Sequence, residues 1–202
     1  MSELQPIVMV PDLANNQLAD PDLLQYYQLL GDRRIWLDGE INESTLLVVR
    51  QIQLWNLEDQ VLSVKQRKPI YLYFFSPGGD IDVNYSLFDA ISLSQTPVYG
   101  VNMGRCSSAA AYIFLACHKR YMLPHAYFLF HQGYGSLEGE FSTVIDQIKD
   151  YQRQVDELAA LIEQRTNYSK DEVEKNISGE WFVRADEAKE RGVVDDIITS
   201  LV

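Results

Sequence analysis

The sequence predicts an α/β fold with a largely parallel sheet. The observation behind this class is that strand-like and helix-like segments alternate from Arg34 to Phe130, and the length of 202 residues suits a single domain. Short runs rich in aromatic and β-branched residues, separated by amphipathic helices, are typical of βαβ units, in which neighbouring strands run parallel.

The elements follow in chain order from composition and periodicity. Residues 1–20 show no clear period and predict a flexible N-terminal arm, and a short helix closed by Gly31 follows at residues 22–30. Strands are predicted at 34–37, 69–75, 98–103, 120–123 and 127–130. Helices are predicted at 43–57, 81–93 and 108–117.

Helical periodicity also predicts which side of each main helix is apolar. In the helix at 43–57 the predicted side consists of Leu46, Leu47, Arg50, Leu54 and Leu57. In the helix at 81–93 it consists of Val83, Leu87, Phe88 and Ile91. The helix at 108–117 is built from small residues, which favour close packing on a sheet.

The alternation ends at Gly139, and a long helix is predicted at 141–164. Its apolar residues are spaced by four, three, four, three and four positions, which is the spacing of a coiled-coil seam: Val144, Ile148, Tyr151, Val155, Leu158 and Ile162. The seam either packs on its own domain or reaches another subunit. A capping box from Ser169 to Glu172, a helix at 185–191 and a last strand at 193–198 complete the chain.

Composition excludes several classes of protein. The net charge of −12 argues against a nucleic-acid partner, which needs a basic patch, and against an anionic membrane surface. No apolar run is long enough to span a membrane, and the first residues lack the features of a signal peptide. Cys106 and Cys117 are too few for a disulfide framework and lack metal-pair spacing, so we expect a cytoplasmic protein without a metal site.

Three segments carry residues suited to chemistry. Ser76-Pro77-Gly78-Gly79 lies between a strand and a helix, where paired glycines expose backbone N–H groups. Ser108 follows a strand and opens a small-residue helix, which is the position that a nucleophile needs. His131 ends a strand and precedes Gln132-Gly133. Each segment alone also fits a structural role, but together they supply the parts of acyl transfer through a serine ester.

These markers occur in an order that resembles the ClpP peptidases, the proteolytic ring components of ATP-dependent Clp proteases. The resemblance spans residues 22–198. Its markers are the strand Tyr71-Leu72-Tyr73 before Ser76-Pro77-Gly78-Gly79, Met103-Gly104 before Ser108, Leu123-Pro124, His131-Gln132, Gly139, and the segment from Phe182 to Gly192 with Ala185, Glu187 and Ala188.

The resemblance implies an architecture and a set of partners. It implies a ClpP/crotonase-like spiral of ββα units, with residues 21–202 as a single peptidase domain and a long protruding handle helix at about 139–165. It also implies a homo- or hetero-oligomer of two stacked heptameric rings that receives polypeptide substrates from an AAA+ unfoldase such as ClpX, ClpA or ClpC. No cofactor is expected for this chain, because ATP is used by the partner unfoldase.

The resemblance further assigns roles at the site. It implies Ser108 as the nucleophile, His131 as the general base, and the backbone N–H groups of Gly79 and Ala109 as the oxyanion hole. Ala109 replaces the family's usual methionine, and Glu180 stands where the family has the aspartate of its triad. Ser178 and Gly179 replace a usual acidic-arginine pair that links the rings.

A docking surface for the unfoldase is implied at apolar and aromatic positions. They are Tyr71, Tyr73, Leu93, Val101, Met103, Tyr121, Leu123 and Ile198. The alternative is that these are ordinary strand residues that pack against helices. The N-terminal arm does not closely match the family's axial loop, so no gating contact is assigned to it.

The sequence thus predicts an ATP-dependent Clp protease proteolytic subunit, a serine endopeptidase with a Ser-His-Glu triad that cleaves unfolded polypeptides to short peptides inside a ring chamber. A second hypothesis is a weakly active or inactive subunit of a mixed ring with an active paralogue, suggested by Ala109, Gly179 and Glu180. A third is an acyl-CoA enzyme of the crotonase type, against which the pair of Ser108 and His131 argues.

Overall fold

The computed structural model describes residues 20–133 and 138–200. The predicted N-terminal arm therefore lies, except for Asp20, outside the described residues. The chain divides into two compact units, one ending at Asp32 and the other beginning at Arg33. The described part of the first unit is helix α1 (Pro21–Gly31), which Asp20 caps by accepting a hydrogen bond from the N–H of Asp22 (3.0 Å).

A seven-stranded sheet forms the centre of the second unit. The strands are β1 (Arg34–Leu37), β2 (Ile70–Ser76), β3 (Val98–Ser107), β4 (Lys119–Met122), β5 (Tyr127–Phe130), β6 (Trp181–Arg184) and β7 (Asp196–Ile197). Their order is β1-β2-β3-β4-β7, with β5 beside β3 and β6 beside β5. All pairs are parallel except β5 with β6, so the predicted α/β class is confirmed.

In the described residues, six α-helices belong to the same unit. They are α2 (Leu46–Glu58), α3 (Ile81–Ser92), α4 (Ala109–Leu115), α5 (Phe141–Arg165), α6 (Lys170–Ile177) and α7 (Ala185–Glu190). Short 3-10 turns at Glu43–Thr45, Asp59–Val61 and Val64–Gln66 flank or follow α2. No helix of the described residues is long and apolar enough to cross a membrane.

The core lies between the sheet and helices α3 and α4. Ile70, Leu72 and Phe74 alternate along β2 and are fully buried. Every side chain of α4 is buried, and its Phe114 packs edge-on against Phe74 with ring centroids 5.2 Å apart. Burial of such side chains contributes roughly 1.5–3 kcal/mol each, so α4 is fixed rigidly at the carboxyl end of β3.

One buried ion pair joins the start of the sheet to the end of α2. The Arg33 guanidinium donates to both carboxylate oxygens of Asp59, at 2.5 and 2.8 Å. The Thr96 hydroxyl donates to the same carboxylate at 2.8 Å. The hydrogen bond from Arg33 is the main reason why the pKa of Asp59 is lowered. Asp59 therefore stays ionised although it is buried.

Several predicted boundaries differ from the structure. Strand β3 continues to Ser107 rather than ending at Met103, because its second half pairs with β5. Strand β6 was not predicted, and the predicted strand at 193–198 is reduced to β7 because the N–H groups of Val193 and Val194 bond to the Ala188 carbonyl. These short segments depend on pairing with distant strands, which local composition does not reveal.

The predicted apolar side of α2 was wrong. Leu47, Leu54 and Leu57 are exposed, and the helix instead buries Val48, Ile52 and Trp55. The helix is apolar on two sides, and periodicity alone does not say which side meets the core. The predicted stripe of α3 is confirmed, since Val83, Leu87, Phe88 and Ile91 are all buried.

The seam of α5 divides into two halves. Val155, Leu158 and Ile162 are buried in the unit's own core, whereas Ile148 and Tyr151 are exposed. Phe141, at the first residue of the helix, is 83% exposed. Packing on its own domain therefore accounts only for the carboxyl-terminal half of the seam.

Candidate active site

Ser108 occupies a strained position between β3 and α4. Its backbone has φ 52° and ψ −130°, and it is one of two non-glycine residues with positive φ in the described part of the chain. Its N–H donates to the Leu129 carbonyl of β5 at 2.7 Å. Strain of this kind persists where the surrounding structure imposes it, and it is concentrated at functional sites. The strand-to-helix junction thus holds the hydroxyl in a defined place.

The glycine turn after β2 lies directly against Ser108. A Cβ built on Gly78 would come within 2.6 Å of the Ser108 Cβ and 3.0 Å of the Ala109 nitrogen. The turn is held by Ile41, whose N–H donates to the Gly78 carbonyl and whose carbonyl accepts from the Asp80 N–H, both at 2.8 Å. Neither bond uses the N–H of Gly79.

Two backbone donors are therefore available beside the Ser108 hydroxyl. Gly79 has φ +151°, a conformation that glycine adopts without strain. Ala109 is the first residue of α4, so its N–H has no acceptor within that helix. Paired N–H groups at a helix N-terminus stabilise developing negative charge, which is the chemistry of an oxyanion hole.

The antiparallel pairing of β5 with β6 brings Glu180 towards His131. Phe130 pairs with Trp181, so the register continues to His131 opposite Glu180. Partial burial lowers the pKa of His131, and the negative charge of Glu180 opposes that shift. The imidazole is therefore neutral near pH 7, as a general base must be.

One hydrogen bond to His131 opposes the tautomer that a general base needs. Its Nδ1 accepts a hydrogen bond from the N–H of Gly133 at 3.2 Å. The proton of a neutral ring then lies on Nε2, whereas a base needs Nε2 free to accept from the serine. Among the described residues the Ser108 hydroxyl makes no hydrogen bond to His131.

The backbone from His131 to Gly133 is held by neighbouring elements. The Tyr151 hydroxyl of α5 lies 3.0 Å from the Gln132 carbonyl and 3.3 Å from that of Gly133. The Tyr112 hydroxyl of α4 donates to the His131 carbonyl at 3.0 Å. The position of the imidazole is thus linked to the handle helix α5 through Tyr151.

All five residues that the sequence analysis assigned to catalysis line one cleft. Gly79, Ser108, Ala109, His131 and Glu180 surround a volume of about 640 Å³. The cleft extends between α3, α4 and α5. The described residues contain no cluster of His, Cys, Asp and Glu able to hold a metal ion.

The sequence analysis missed one polar residue of the cleft, Asn84 on α3. It lines the same volume and is completely buried. A signal was present in the sequence, because position 84 lies three and four residues before Leu87 and Phe88 and so belongs to the apolar side of the helix. A polar residue on such a side needs an explanation.

Four of the eight positions assigned to unfoldase docking lie on one face of the sheet. Tyr73 pairs with Val101, and Val101 pairs with Tyr121, so these three side chains lie next to one another on adjacent strands. Tyr71 lies on the same face of β2 as Tyr73, opposite the buried residues. The remaining positions lie outside these strand pairs: Leu93, 77% exposed after α3, and the half-buried Met103, Leu123 and Ile198.

Comparisons with known proteins identify a family that the chain resembles over most of its length. A family model described as Clp protease matches residues 20–201. The ATP-dependent Clp protease proteolytic subunit 2 of Treponema denticola is 33% identical over 185 residues, which cover 90% of this chain and 89% of the relative. The protein of the same name from Treponema pallidum is 34% identical over 176 residues, which cover 86% and 85%.

Proposed function

This chain belongs to the Clp protease family, and from that premise we propose that it is a serine endopeptidase subunit that hydrolyses unfolded polypeptides to short peptides inside a ring chamber. The observation that carries the proposal is the meeting of Ser108, His131 and Glu180 in one cleft with the N–H groups of Gly79 and Ala109.

The proposed reaction begins with attack of the Ser108 Oγ on the carbonyl carbon of a peptide bond. His131 accepts the serine proton on Nε2, and the N–H groups of Gly79 and Ala109 stabilise the negative oxygen. Collapse of the tetrahedral intermediate breaks the C–N bond, and His131 protonates the departing amine. Water then adds to the ester, His131 takes its proton, and the acid product and the free serine form.

This sequence of steps requires a change at His131. The proton of the neutral ring must lie on Nδ1 and face Glu180, so the hydrogen bond from Gly133 to Nδ1 must open. We propose that substrate binding and ring assembly favour the open form. Tyr151 connects α5 to the carbonyls of Gln132 and Gly133, which gives the handle helix a direct effect on this switch.

We propose that the subunits assemble as two stacked heptameric rings, as homo- or hetero-oligomers. Large apolar side chains are exposed on α2, at Leu47, Leu54 and Leu57, and on the first half of α5. Exposed apolar surface of this extent marks contacts between proteins. The aromatic sheet face with Tyr73 and Tyr121 is proposed to bind an AAA+ unfoldase, which uses the ATP.

We also propose that the assembly works in the cytoplasm. Cys106 and Cys117 are buried and unlinked. Free buried thiols agree with a reducing compartment.

A second candidate function is a weakly active or inactive subunit that completes a ring with an active paralogue. The specific observation in its favour is the 3.2 Å hydrogen bond from the Gly133 N–H to His131 Nδ1, which competes with donation from Nδ1 to Glu180. Purified chain alone, assayed on short peptides, separates the two candidates. Turnover without a partner would reject the structural role, and turnover only after an active paralogue is added would support it.

Removal of the nucleophile tests the proposed function. Ser108→Ala should lower peptide hydrolysis by about 10⁶-fold, as loss of a triad member does. Ser107→Ala is the matched control, because the buried Ser107 hydroxyl makes no hydrogen bond within the described residues and its removal should have little effect. Equal rates for Ser108→Ala and wild type would reject Ser108 as nucleophile.

Shortening the Glu180 side chain gives a further test of the proposed triad. A glutamate is one methylene longer than the family's aspartate, so Glu180→Asp changes the reach of the carboxylate towards His131. If reach limits turnover, the aspartate variant is faster. If Glu180 orients His131 well, the aspartate variant is slower, and Glu180→Gln is slower in both cases. Equal rates for all three proteins would exclude Glu180 from the triad.

A further inference from the structure

Tyr112 is the one residue of α4 whose side chain can make a hydrogen bond. The helix reads Ala-Ala-Ala-Tyr-Ile-Phe-Leu from Ala109 to Leu115, and all of its side chains are buried. A phenylalanine would bring the same ring, which packs against Phe130 with centroids 5.8 Å apart. Burial of a hydroxyl in apolar surroundings is unfavourable unless it finds an acceptor, so the acceptor of this hydroxyl indicates what it does.

The acceptor is the backbone carbonyl of His131, at 3.0 Å. Burial raises the pKa of the Tyr112 phenol, so the hydroxyl keeps its proton and remains a donor. Tyr112 is also joined to the proposed nucleophile, because its backbone N–H donates to the Ser108 carbonyl at 3.3 Å. One residue of α4 therefore bonds to the main chain of both Ser108 and His131.

The end of strand β3 explains why the His131 carbonyl needs this donor. Strands β3 and β5 pair as far as Ser107 with Leu129, and the Ser108 N–H donates to the Leu129 carbonyl at 2.7 Å. Carbonyls of alternate residues in a strand point to the same edge, so the His131 carbonyl is the next acceptor on that edge. Because β3 has passed into α4 at this point, the Tyr112 hydroxyl takes the place of the next strand N–H.

We propose that Tyr112 is a positioning residue that sets the separation of Ser108 from His131, by extending the β3–β5 ladder by one hydrogen bond. The inference rests on the proposed peptidase function and assigns Tyr112 no contact with the reacting atoms. The residue lines the cleft but is only 1% exposed, and its hydroxyl is already bonded to the protein. A fixed backbone at His131 limits the positions of the imidazole, so proton transfer from Ser108 starts from a narrower range of distances.

Tyr112→Phe tests the inference, because it removes the hydroxyl and keeps the ring. The kcat for a short peptide, expressed per active site, should fall about tenfold, since a displacement of about 1 Å can cost about 10²-fold and loss of one hydrogen bond moves the base by less. KM should stay within about twofold of wild type, because the lost bond acts on the transition state and not on substrate binding. Active sites are counted by labelling to completion with a small fluorophosphonate.

Tyr168→Phe is the matched control. Tyr168 is also buried, its hydroxyl donates to Glu187 at 2.6 Å, and it lies outside the residues that line the cleft. Both variants should lose thermal stability, but only Tyr112→Phe should lose kcat. Incorporation of 4-aminophenylalanine in place of Tyr112 keeps an N–H donor at the same point and should restore most of the lost kcat.

A second comparison applies if Tyr112→Phe does not fold. Incorporation of 4-fluorophenylalanine in place of Tyr112 fills the space of the hydroxyl but cannot donate a hydrogen bond. Its kcat should be about tenfold lower than that of the protein with 4-aminophenylalanine. Equal kcat values for these two proteins would overturn the inference.

Other outcomes would also overturn it. A Tyr112→Phe protein with a lower Tm and the wild-type kcat per active site would show that the hydroxyl only stabilises the fold. A raised KM with unchanged kcat would show that the hydroxyl binds substrate. An equal loss of kcat in Tyr168→Phe would show that any buried tyrosine hydroxyl has the same effect.

Failure of the proposed function gives a different pattern. If wild type neither hydrolyses peptides nor reacts with the fluorophosphonate, Ser108 is not an activated nucleophile, and the inference falls with the proposed function. If wild type does both and Tyr112→Phe equals it in kcat, the peptidase function stands and only the role of Tyr112 is wrong.

Discussion

Gly79→Ala should damage both the fold and the active site. The residue has φ +151°, and an added Cβ would lie 2.1 Å from the Ile41 carbonyl oxygen, well inside contact distance. The Ile41 carbonyl is a backbone group, so it cannot rotate away as a side chain could. The turn must therefore move, and the hydrogen bonds from Ile41 to Gly78 and from Asp80 to Ile41 are lost or weakened.

The loss in the free energy of unfolding can be estimated from the hydrogen bonds and the backbone conformation. Two hydrogen bonds contribute about 1 kcal/mol each, and the backbone conformation costs alanine about 1–3 kcal/mol. The free energy of unfolding should therefore fall by about 3–5 kcal/mol. For a domain of this length that corresponds to a drop in Tm of roughly 6–20 °C. Where the variant still folds, displacement of the Gly79 N–H should lower kcat by about 10²–10³-fold, the effect of losing one oxyanion donor.

The assays are thermal unfolding at equal protein concentration and peptide hydrolysis below the transition. Gly39→Ala is the matched control, because a Cβ at Gly39 meets nothing within 4 Å and the residue has no positive φ. A Gly79→Ala protein that unfolds and hydrolyses peptide like wild type would refute the geometry of the turn. A protein with normal Tm and low kcat would support the oxyanion role alone.

Three further predictions concern the base, the buried ion pair and the docking face. Because burial lowers the pKa of His131, kcat/KM should rise with pH and reach half its maximum below pH 6.5, the ordinary pKa of histidine. In Glu180→Gln the pH of half-maximal kcat/KM should fall further, because the carboxylate charge raises the pKa of His131. A higher midpoint in this variant would contradict the assignment. Asp59→Ala should reduce the free energy of unfolding by about 3–5 kcal/mol in urea titrations, because the largely buried Arg33 loses its buried partner and keeps only the exposed carboxylate of Glu58 at 3.6 Å; an unchanged midpoint would show that the pair contributes nothing. Tyr73→Ala should weaken unfoldase binding in sedimentation assays and leave short-peptide hydrolysis near wild type, and unchanged binding would exclude Tyr73 from the docking surface.

Much of the fold was predictable because its signals are local. The capping box at Ser169 is visible as residue types at fixed spacing, and it occurs in the structure. The strands β1 and β5 were predicted with the bounds that the structure has, because each is a short run of apolar residues between turn signals.

The remainder depends on contacts between distant parts of the chain. Strand β6 forms only because β5 offers an edge, and its register is what turns Glu180 towards His131. Helix α2 has two apolar sides, and the sequence alone does not indicate which of them is exposed. The positive φ of Ser108 occurs where β3 passes directly into α4, and the sequence there lacks the G-x-S-x-G pattern that signals such a turn.

The site was identified by resemblance more than by pattern. Ser108 and His131 each fit a structural role when taken alone, and Glu180 has no local feature that marks it. Asn84 did carry a local signal, because it is a polar residue on the apolar side of α3. Its position at the cleft, however, depends on how α4 and α5 pack, which the sequence does not show. The roles of Ser108, His131 and Glu180 stay predictions that the tests above address.

Mass spectrometry of the phosphonate adduct tests the central proposal most directly. The assembled wild-type protein is labelled with fluorophosphonate, digested with a site-specific protease, and the modified residue is located by fragmentation. We predict a single adduct on Ser108, lost when His131 is replaced by alanine. An adduct on another residue, or peptide hydrolysis that continues at full rate without any adduct, would contradict the account.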